Sequence, residues 1–385
     1  MSRKIVFINQ ATGYLTIDVI NAFANQFEKV ALITGSIREQ DTTINLKVRI
    51  SKIVRYDRGN NFKKALSWIV GTLQILYLLK SRFRNYEVFF YTIPPTAYLL
   101  SGSIRNNYSI AIFDLYPDAL KANGFNEKSL LYRWWVSKNK KIFAEAYRIY
   151  TLSDNMKAQV LSYAKDSVVE IIPNWSAFSG FQPVSKRDNS IIRKEGLAGK
   201  FVVQYSGNIG VTHNVETLVE VADRLKHHKD IVFQIIGRGD RSNYIGKMIR
   251  DRDLQNCKLL PFRKDEDLYE SLCASDISVI ILDNRTNDIS VPSKTYNIMA
   301  AGIPIMAIAP ASSGVSQIIQ DHQVGGTFEK SQIDAMYRFI IDLKDDKLRW
   351  QALSFNSLKA AAKFTDKNAE SYLETYLNTD SVTIS

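Results

Sequence analysis

The feature that most constrains the fold of this chain is an alternation of short β-rich runs with helical patterns, which occurs twice. In the first half, the strand-like runs KIVFIN, KVALIT and EVFFYT are separated by stretches of helical periodicity. In the second half, FVVQYSG, IVFQIIG and ISVIIL follow the same rhythm. Strands that alternate with helices form parallel sheets, because each crossover returns the chain to the same edge. The sequence therefore predicts an α/β protein with two Rossmann-like, doubly wound sheets.

A polar segment separates the two halves. Residues 176–199 are rich in Ser, Lys, Arg and Asn and show little apolar periodicity, which is typical of a connection between domains. We therefore expect an N-terminal domain over residues 1–185 and a second domain over 198–365. Residues 366–385 are expected to form a C-terminal helix and tail that pack back toward the first domain. Such sheets bind ligands beyond the carboxyl ends of their strands, so the two domains are expected to face a cleft.

Positive charge is concentrated in the first half of the chain. Residues 1–190 contain 26 Lys and Arg against 14 Asp and Glu, whereas the remainder contains 24 against 25. The first half is therefore +12 and the second −1, within a total of +11. This asymmetry favours a polyanion or an anionic membrane as a partner of the first half, with a merely solubilising surface as the alternative.

Targeting, membrane and metal signals are weak. The start MSRKIVFINQ lacks the long apolar region of a signal peptide, so we expect a cytoplasmic protein. The most apolar stretch, residues 65–79, is shorter than the roughly 20 residues that span a bilayer. Cys257 and Cys273 have no companions at metal-ligand spacing, so no metal site is predicted.

Three loops that follow strands of the second half carry residues suited to phosphate binding. YSGNIG contains Gly207 and Asn208, GRGD places Arg238 between two glycines, and VPSKTYNIMAAGIP begins a helix near Ser293 and Lys294. Glycines allow close backbone approach, while cations and helix N-termini favour an anion. Taken alone, the first loop is equally well explained as a structural turn, and Arg238 as a partner of the following aspartate.

In this order, YSGNIG, FQIIGRG, LLPF, ASDISVIIL and PSKTYNIMAAGIPIMA resemble the donor-binding domain of GT-B glycosyltransferases of family four. Upstream, FDLYPDAL, TLSDNMK and VVEIIPNW resemble the first domain of bacterial members that build cell-surface polysaccharides. The resemblance implies a retaining transfer of a sugar from a UDP- or GDP-sugar. The implied acceptor is a lipid-linked or saccharide intermediate of O-antigen, capsule or exopolysaccharide synthesis.

The resemblance also implies a set of donor-binding residues. They are Gly13, Gly207, Asn208, Arg238, Phe262, Arg263, Ser293, Lys294 and Asn297. Lys294 is expected to supply charge to the donor diphosphate, and Phe262 and Arg263 lie where family members hold the nucleotide base. We expect no metal or other cofactor, because cations and helix dipoles take the place of a metal ion.

The sequence departs from the family at two acidic positions. Many members carry two glutamates seven residues apart around this helix. Here the second position falls on Asn297, and the first falls near Ile289 or Ser290. Asn297 is still expected to hydrogen-bond the ribose of the donor.

The catalytic residue predicted on the acceptor side is Asp114, at the end of the strand YSIAIFD. All four histidines lie in the second half, so the first-domain histidine of many relatives has no counterpart here. Asp114 occupies the equivalent strand end, with Asp118 as a substitute. The alternative for Asp114 is an N-cap of the following segment.

A basic, aromatic stretch of the first half suits the surface of a membrane. Its residues are Arg133, Trp134, Trp135, Lys138, Lys140 and Lys141. Trp and Leu flanked by Lys and Arg are typical of an interfacial helix, and a second such stretch is the helix that precedes Arg82. The alternative is a core helix with a solvated basic face. The expected location is the inner face of the cytoplasmic membrane, with an anionic lipid surface or a polyprenyl-diphosphate-linked acceptor as the partner.

Other functions fit the sequence less well. A nucleic-acid-binding protein would also be basic, but no recognition-helix, zinc-finger or RNP pattern accompanies the charge, so no nucleic-acid partner is predicted. A nucleotide-sugar epimerase would share the nucleotide site but has no need of a basic acceptor domain. A dinucleotide oxidoreductase is disfavoured because the segment KIVFINQATG contains only Gly13 in place of a GxGxxG motif.

Overall fold

The chain folds into two compact units. The computed structural model describes residues 3–40, 42–57, 59, 61–121, 124–210, 213–283 and 291–378. The first unit holds the described residues of Met1–Ala177 and Asp366–Ser385, together with Val291. The second unit holds those of Phe178–Asn287 and Pro292–Thr365.

A seven-stranded parallel sheet forms the centre of the first unit. The strands of this unit are β1 (Lys4–Ile8), β2 (Ala11–Thr12), β3 (Lys29–Thr34), β4 (Ser36–Ile37), β5 (Arg49–Lys52), β6 (Glu87–Tyr91), β7 (Tyr108–Ala111), β8 (Ile149–Thr151) and β9 (Val169–Ile171). Their order in the sheet is β5-β3-β1-β6-β7-β8-β9, and β2 pairs separately with β4. After β1 the chain forms β3 and β5 on one side of β1 and then crosses to form β6 on the other side. The topological switch point therefore lies between β1 and β6.

Helices connect the strands of the first unit. They are α1 (Tyr14–Ala24), α2 (Asn61–Ser81), a 3-10 helix (Tyr98–Ser103), α3 (Asp118–Lys121), α4 (Leu130–Glu145) and α5 (Asp154–Tyr163). Serines begin two of them. The Ser129 hydroxyl accepts the Tyr132 N–H at 3.2 Å, and the Ser153 hydroxyl accepts the Met156 N–H at 3.4 Å. These bonds satisfy N–H groups that have no partner within the first turn of a helix.

A six-stranded parallel sheet forms the centre of the second unit. Its strands are β10 (Phe201–Asn208), β11 (Ile231–Arg238), β12 (Cys257–Leu260), β13 (Ile277–Ile281), β14 (Ile305–Ile308) and β15 (Gly325–Phe328). The order β12-β11-β10-β13-β14-β15 puts the switch point between β10 and β13. The prediction of two parallel α/β sheets is confirmed.

The helices of the second unit lie between and after these strands. They are α6 (Ser190–Lys194), α7 (Glu216–Arg224), α8 (Ser242–Asp251), α9 (Asp265–Cys273), α10 (Lys294–Ala300), α11 (Gly314–His322), α12 (Ile333–Asp345) and α13 (Lys347–Ala361). Val203 and Phe233 pack in the main core on one face of the sheet, and Val202 packs against Ala274 on the other. Burial on both faces explains why these strands have nearly continuous apolar sequences.

The last helix, α14 (Asn368–Leu377), completes the core of the first unit. The ring centroid of Tyr372 lies 4.7 Å from that of Tyr150, and the ring centroid of Tyr376 lies 5.2 Å from that of Phe23. The Tyr376 hydroxyl also donates a hydrogen bond to Glu87 at 2.7 Å. The first unit therefore depends on residues from both ends of the chain.

Replacing Tyr372 by Ala is expected to lower the free energy of unfolding by about 3 kcal/mol, because it opens a cavity in an aromatic core. Urea denaturation followed by tryptophan fluorescence measures the change. The matched control is Tyr77→Ala, since that side chain is 71% exposed. Equal stability losses in the two variants would contradict a structural role for α14.

Candidate active site

The switch point of the second sheet brings together the loops that the sequence singled out. β10 ends at Asn208 next to β13, which ends at Ile281, and α10 begins at Lys294 further along the chain. The chain leaves these neighbouring strands in opposite directions, which opens a crevice at their carboxyl ends. Parallel sheets bind their ligands at such a crevice, so we place the candidate donor site there.

Two glycines allow the loops after β10 and β11 to pack backbone against backbone. A Cβ added to Gly237 would lie 1.9 Å from the carbonyl oxygen of Gly207, and one added to Gly239 would lie 2.4 Å from that of Ile209. The Ile209 N–H donates to the Arg238 carbonyl at 2.9 Å. Any larger residue at positions 237 and 239 would therefore force the two loops apart.

Lys294 lies directly against the first of these loops. Its Nζ is 3.0 Å from the point that a Cβ on Gly207 would occupy and 4.6 Å from the ring centroid of Tyr205. Burial lowers the pKa of Lys294 to about 8, and no carboxylate in the described part of the chain counters that shift. Most Lys294 side chains still carry a charge at pH 7, and a bound anion would favour the charged form further.

The structure adds His213, Asn214 and Asp283 to this edge of the sheet, which the sequence interpretation missed. The side-chain amide of Asn214 donates to Asp283 at 3.0 Å. Burial and the nearby charge of Lys294 lower the pKa of His213 to about 4, although Asp283 acts in the opposite direction. The imidazole is therefore neutral at pH 7. Their positions in the sequence could have indicated them, since His213 follows the glycine loop after β10 and Asp283 follows β13.

Arg238 and Phe262 lie beside each other. The guanidinium carbon of Arg238 is 5.5 Å from the ring centroid of Phe262, whose side chain is 44% exposed. This distance is within the range of a cation–π interaction. In the residues that the structure describes, Arg238 forms no ion pair with Asp240, which was the alternative considered from the sequence.

Arg263 makes a different kind of contact. Its Nη1 lies 2.5 Å from a carboxylate oxygen of Glu195, and the side-chain amide of Gln234 donates to the other oxygen of Glu195 at 2.5 Å. The side chain of Arg263 is largely buried. These contacts connect the loop that follows β12 to Glu195 and Gln234.

Ser293 and Asn297 accompany Lys294 on α10. Ser293 occupies the N-cap position and makes no side-chain cap bond. Asn297 lies three residues after Lys294, and helix residues with this spacing share a face. Ile289 and Ser290, the positions nearest the missing first glutamate, lie outside the described residues.

Asp114 follows β7 in the first unit. Its backbone N–H donates to the Thr92 hydroxyl at 3.4 Å. Burial raises the pKa of Asp114 to about 6, although the charge of Lys64 lowers it. Across the described ranges, the Asp114 carboxylate makes no hydrogen bond, so the structure shows no N-cap role for it. Asp118, the second candidate for the catalytic residue, accepts a hydrogen bond from the Tyr132 hydroxyl at 2.7 Å.

Gly13 is the N-cap residue of α1 in the first unit. Its carbonyl oxygen accepts the N–H groups of Thr16 and Ile17 at 3.1 and 3.0 Å. A Cβ added to Gly13 would meet no heavy atom within 4 Å. The packing of the first unit therefore leaves open space in front of this glycine.

The basic stretch on α4 is exposed except at one residue. Arg133, Trp134, Lys138, Lys140 and Lys141 are exposed. The prediction that Trp135 lies on the surface is wrong. Trp135 is buried, donates its indole N–H to the Tyr98 hydroxyl at 3.0 Å and stacks on Tyr116. Successive helix residues are about 100° apart, so two adjacent tryptophans cannot share one face.

Comparisons with known proteins agree with the sequence resemblance. Residues 188–363 match the family model described as glycosyl transferases group 1. The "Probable glycosyltransferase WbjE" of Pseudomonas aeruginosa is 24% identical over 347 residues, which cover 86% of each chain. The "Putative colanic acid biosynthesis glycosyl transferase WcaI" of Escherichia coli K12 is 31% identical over 176 residues, which cover 45% of this chain and 43% of that one.

A solved structure extends the similarity to the whole fold. HepE from Anabaena, in complex with UDP and glucose, superposes with a TM-score of 0.73 over 97% of this chain and 99% of its own. Its sequence identity of 13% restricts this likeness to the fold. Residues 188–363 are therefore similar to group 1 glycosyl transferases, and the chain as a whole is similar in sequence to WbjE over 86% of its length and has the GT-B fold.

Proposed function

We propose that the protein transfers a sugar, with retention of its anomeric configuration, from a UDP-sugar to an intermediate of bacterial surface-polysaccharide synthesis. The observation that carries the proposal is Lys294, a partly buried cation placed against Gly207 at the switch point of the second sheet. A cation at this place suits the diphosphate of a nucleotide sugar. We propose UDP and not GDP as the nucleotide because HepE, which shares the fold, was solved with UDP.

Each part of the donor has a proposed contact in the second unit. Lys294 and the backbone around Gly207 and Asn208 bind the diphosphate, and Asn297 hydrogen-bonds the ribose. Ser293 contributes its hydroxyl, which is not used in capping the helix. The base lies near Phe262, with Arg238 beside it. In this assignment Arg263 positions the loop through Glu195.

The chemistry requires one bond to break and one to form at the anomeric carbon. The bond to the diphosphate oxygen breaks, and a bond to the acceptor hydroxyl forms on the same face of the sugar. The departing diphosphate takes the proton of the acceptor hydroxyl, so the charges balance. Lys294 stabilises the negative charge that develops on the leaving group, and such stabilisation is usually the largest single contribution to catalysis. We propose that this residue replaces a metal ion.

On the acceptor side we propose Asp114, whereas Gly13, with open space in front of it, remains a proposed donor-binding residue. The raised pKa of Asp114 leaves its carboxylate able to bind or release a proton near neutral pH. A lipid-linked acceptor with a diphosphate agrees with the excess positive charge of the first half. A cavity of about 770 Å³ in this unit is lined by four cations, Lys121, Lys128, Arg133 and Lys140, against two carboxylates, Asp118 and Glu127. This excess of positive charge supports an anionic acceptor.

Nucleotide binding tests the donor. UDP is expected to raise the melting temperature, since saturation at 100 times Kd stabilises a protein by about 2.7 kcal/mol. GDP and a panel of UDP-sugars provide the comparison. Stabilisation by GDP alone would replace UDP in the proposal, and no stabilisation by any nucleotide would contradict the donor site.

Product analysis tests the reaction. NMR of the product is expected to show the anomeric configuration of the donor, and an inverted product would contradict retention. Incubation with the UDP-sugar alone is expected to leave the sugar unchanged. Epimerised donor in the absence of acceptor would instead identify an epimerase.

A further inference from the structure

The helix α2 exposes an apolar stripe along its full length. Leu66, Ile69, Leu73 and Tyr77 are 49%, 56%, 61% and 71% exposed. Their spacing of three and four residues places them on one helix face, and Phe62, 76% exposed, continues the stripe toward the helix N-terminus. A surface helix of a protein ordinarily turns such a stripe toward the core, whereas α2 turns it toward solvent.

The opposite face of α2 fixes this orientation. Ser67, Gly71, Ile75 and Leu79 form a narrow buried seam at four-residue spacing. The side chain of Gln10 donates to the Ser67 carbonyl at 2.9 Å, and a Cβ on Gly71 would lie 2.8 Å from the same amide nitrogen. The small residues Ser67 and Gly71 therefore bring α2 close to the loop after β1, and the apolar residues of the exposed stripe are left outside.

Positive charge surrounds the exposed stripe. No Asp or Glu occurs between Asp57 and Glu87, whereas Lys63, Lys80 and Arg82 lie within this stretch. All three of these cations are exposed. An apolar face flanked by Lys and Arg complements an anionic lipid surface, since the side chains insert among acyl chains while the cations meet headgroups.

α4 carries a second patch and lies near α2. Tyr116 lies between the two helices, with ring centroids 5.8 Å from Trp68 on α2 and 6.1 Å from Trp135 on α4. On α4, Leu130 and Trp134 are exposed beside the basic residues described above. Both helices therefore contact Tyr116, and each exposes apolar and cationic side chains.

We propose that α2 lies in the plane of an anionic bilayer, with its apolar stripe inserted below the headgroups and α4 as a secondary contact. In the part of the chain that the structure describes, no helix is long and apolar enough to cross a membrane. An amphipathic helix of 21 residues is typical of the interfacial mode. The proposal goes beyond the donor chemistry, because it assigns a docking surface that takes no part in nucleotide binding.

Sedimentation with vesicles of phosphatidylcholine and phosphatidylglycerol tests the proposal. The double variant Ile69→Ser/Leu73→Ser is expected to bind at least about tenfold more weakly than the parent, given the apolar area it removes. The matched control is Leu348→Ser/Phe355→Ser on α13, where the side chains are 78% and 66% exposed. This control is expected to bind vesicles like the parent.

Binding of UDP separates the docking surface from the donor site. Both double variants are expected to keep the thermal shift produced by UDP, which also shows that they are folded. Equal vesicle binding by the α2 variant and the parent would overturn the docking proposal. A parent that forms dimers without vesicles, together with a monomeric α2 variant, would also overturn it, since the stripe would then be an interface between copies of the chain.

Discussion

Lys294→Met is expected to lower kcat/KM for sugar transfer about 10²- to 10³-fold, the usual cost of removing one contact to the charge that develops in a transition state. Met retains most of the volume of Lys, so the contact with Tyr205 persists without the charge. Transfer from UDP-sugar to acceptor, measured by release of UDP, gives the ratio. The loss should appear in kcat as well as in KM, because the charge on the leaving group increases as the bond breaks.

A control is needed because Lys294 is partly buried. Lys247→Ala removes an exposed cation of α8 in the same unit and is expected to leave kcat/KM unchanged. Circular dichroism of both variants should match the parent. A folded Lys294→Met protein with parental kcat/KM would remove Lys294 from the donor site.

Asp114→Asn is expected to lower kcat about 10²-fold, because the carboxylate positions the acceptor hydroxyl while the departing diphosphate takes the proton of that hydroxyl. The pH dependence gives a sharper test. Burial raises the pKa of Asp114 to about 6, so the carboxylate form predominates above that pH and is lost below it. The parental kcat/KM should therefore fall as the pH drops through about 6. In the Asn variant this decrease should be absent from the residual activity.

Asp166→Asn provides the matched control, because Asp166 is an exposed aspartate of the same unit. It is expected to keep both the parental rate and the parental pH profile. An unchanged profile in Asp114→Asn would show that another group titrates, and an unchanged rate would remove Asp114 from the acceptor site.

The fold was predictable because the signal was local and repeated. Four strands of the second sheet, β10, β11, β13 and β14, have largely apolar sequences bounded by loops. The glycines that mark the loops after β10 and β11 are required where the backbones of Gly207 and Gly237 meet. Chain order alone then restricts the topology, since parallel strands need crossover connections.

Burial of individual side chains was harder to predict from the sequence than the fold. The phase of α4, with Tyr132, Trp135 and Asn139 on the buried face, already pointed Trp135 inward, but the neighbouring cations favoured the surface interpretation.

The contacts of the candidate site were less accessible from the sequence. Glu195 and Arg263 are 68 positions apart, and no local pattern indicates that they form an ion pair. Asn214 and Asp283 are 69 positions apart and meet only because β10 and β13 are neighbours in the sheet. Such pairs depend on the order of strands, which the spacing of motifs does not specify.

The position of α14 affects how the protein is made. A ribosome adds about 5 to 20 residues per second, and domains generally fold in the order in which they emerge. Here the second unit ends at Thr365, whereas the first unit needs Tyr372 and Tyr376 to fill its aromatic core. The first unit is therefore completed after the second unit, although most of its residues precede that unit in the sequence. During synthesis the unfilled core of the first unit is expected to be a binding site for chaperones until α14 emerges.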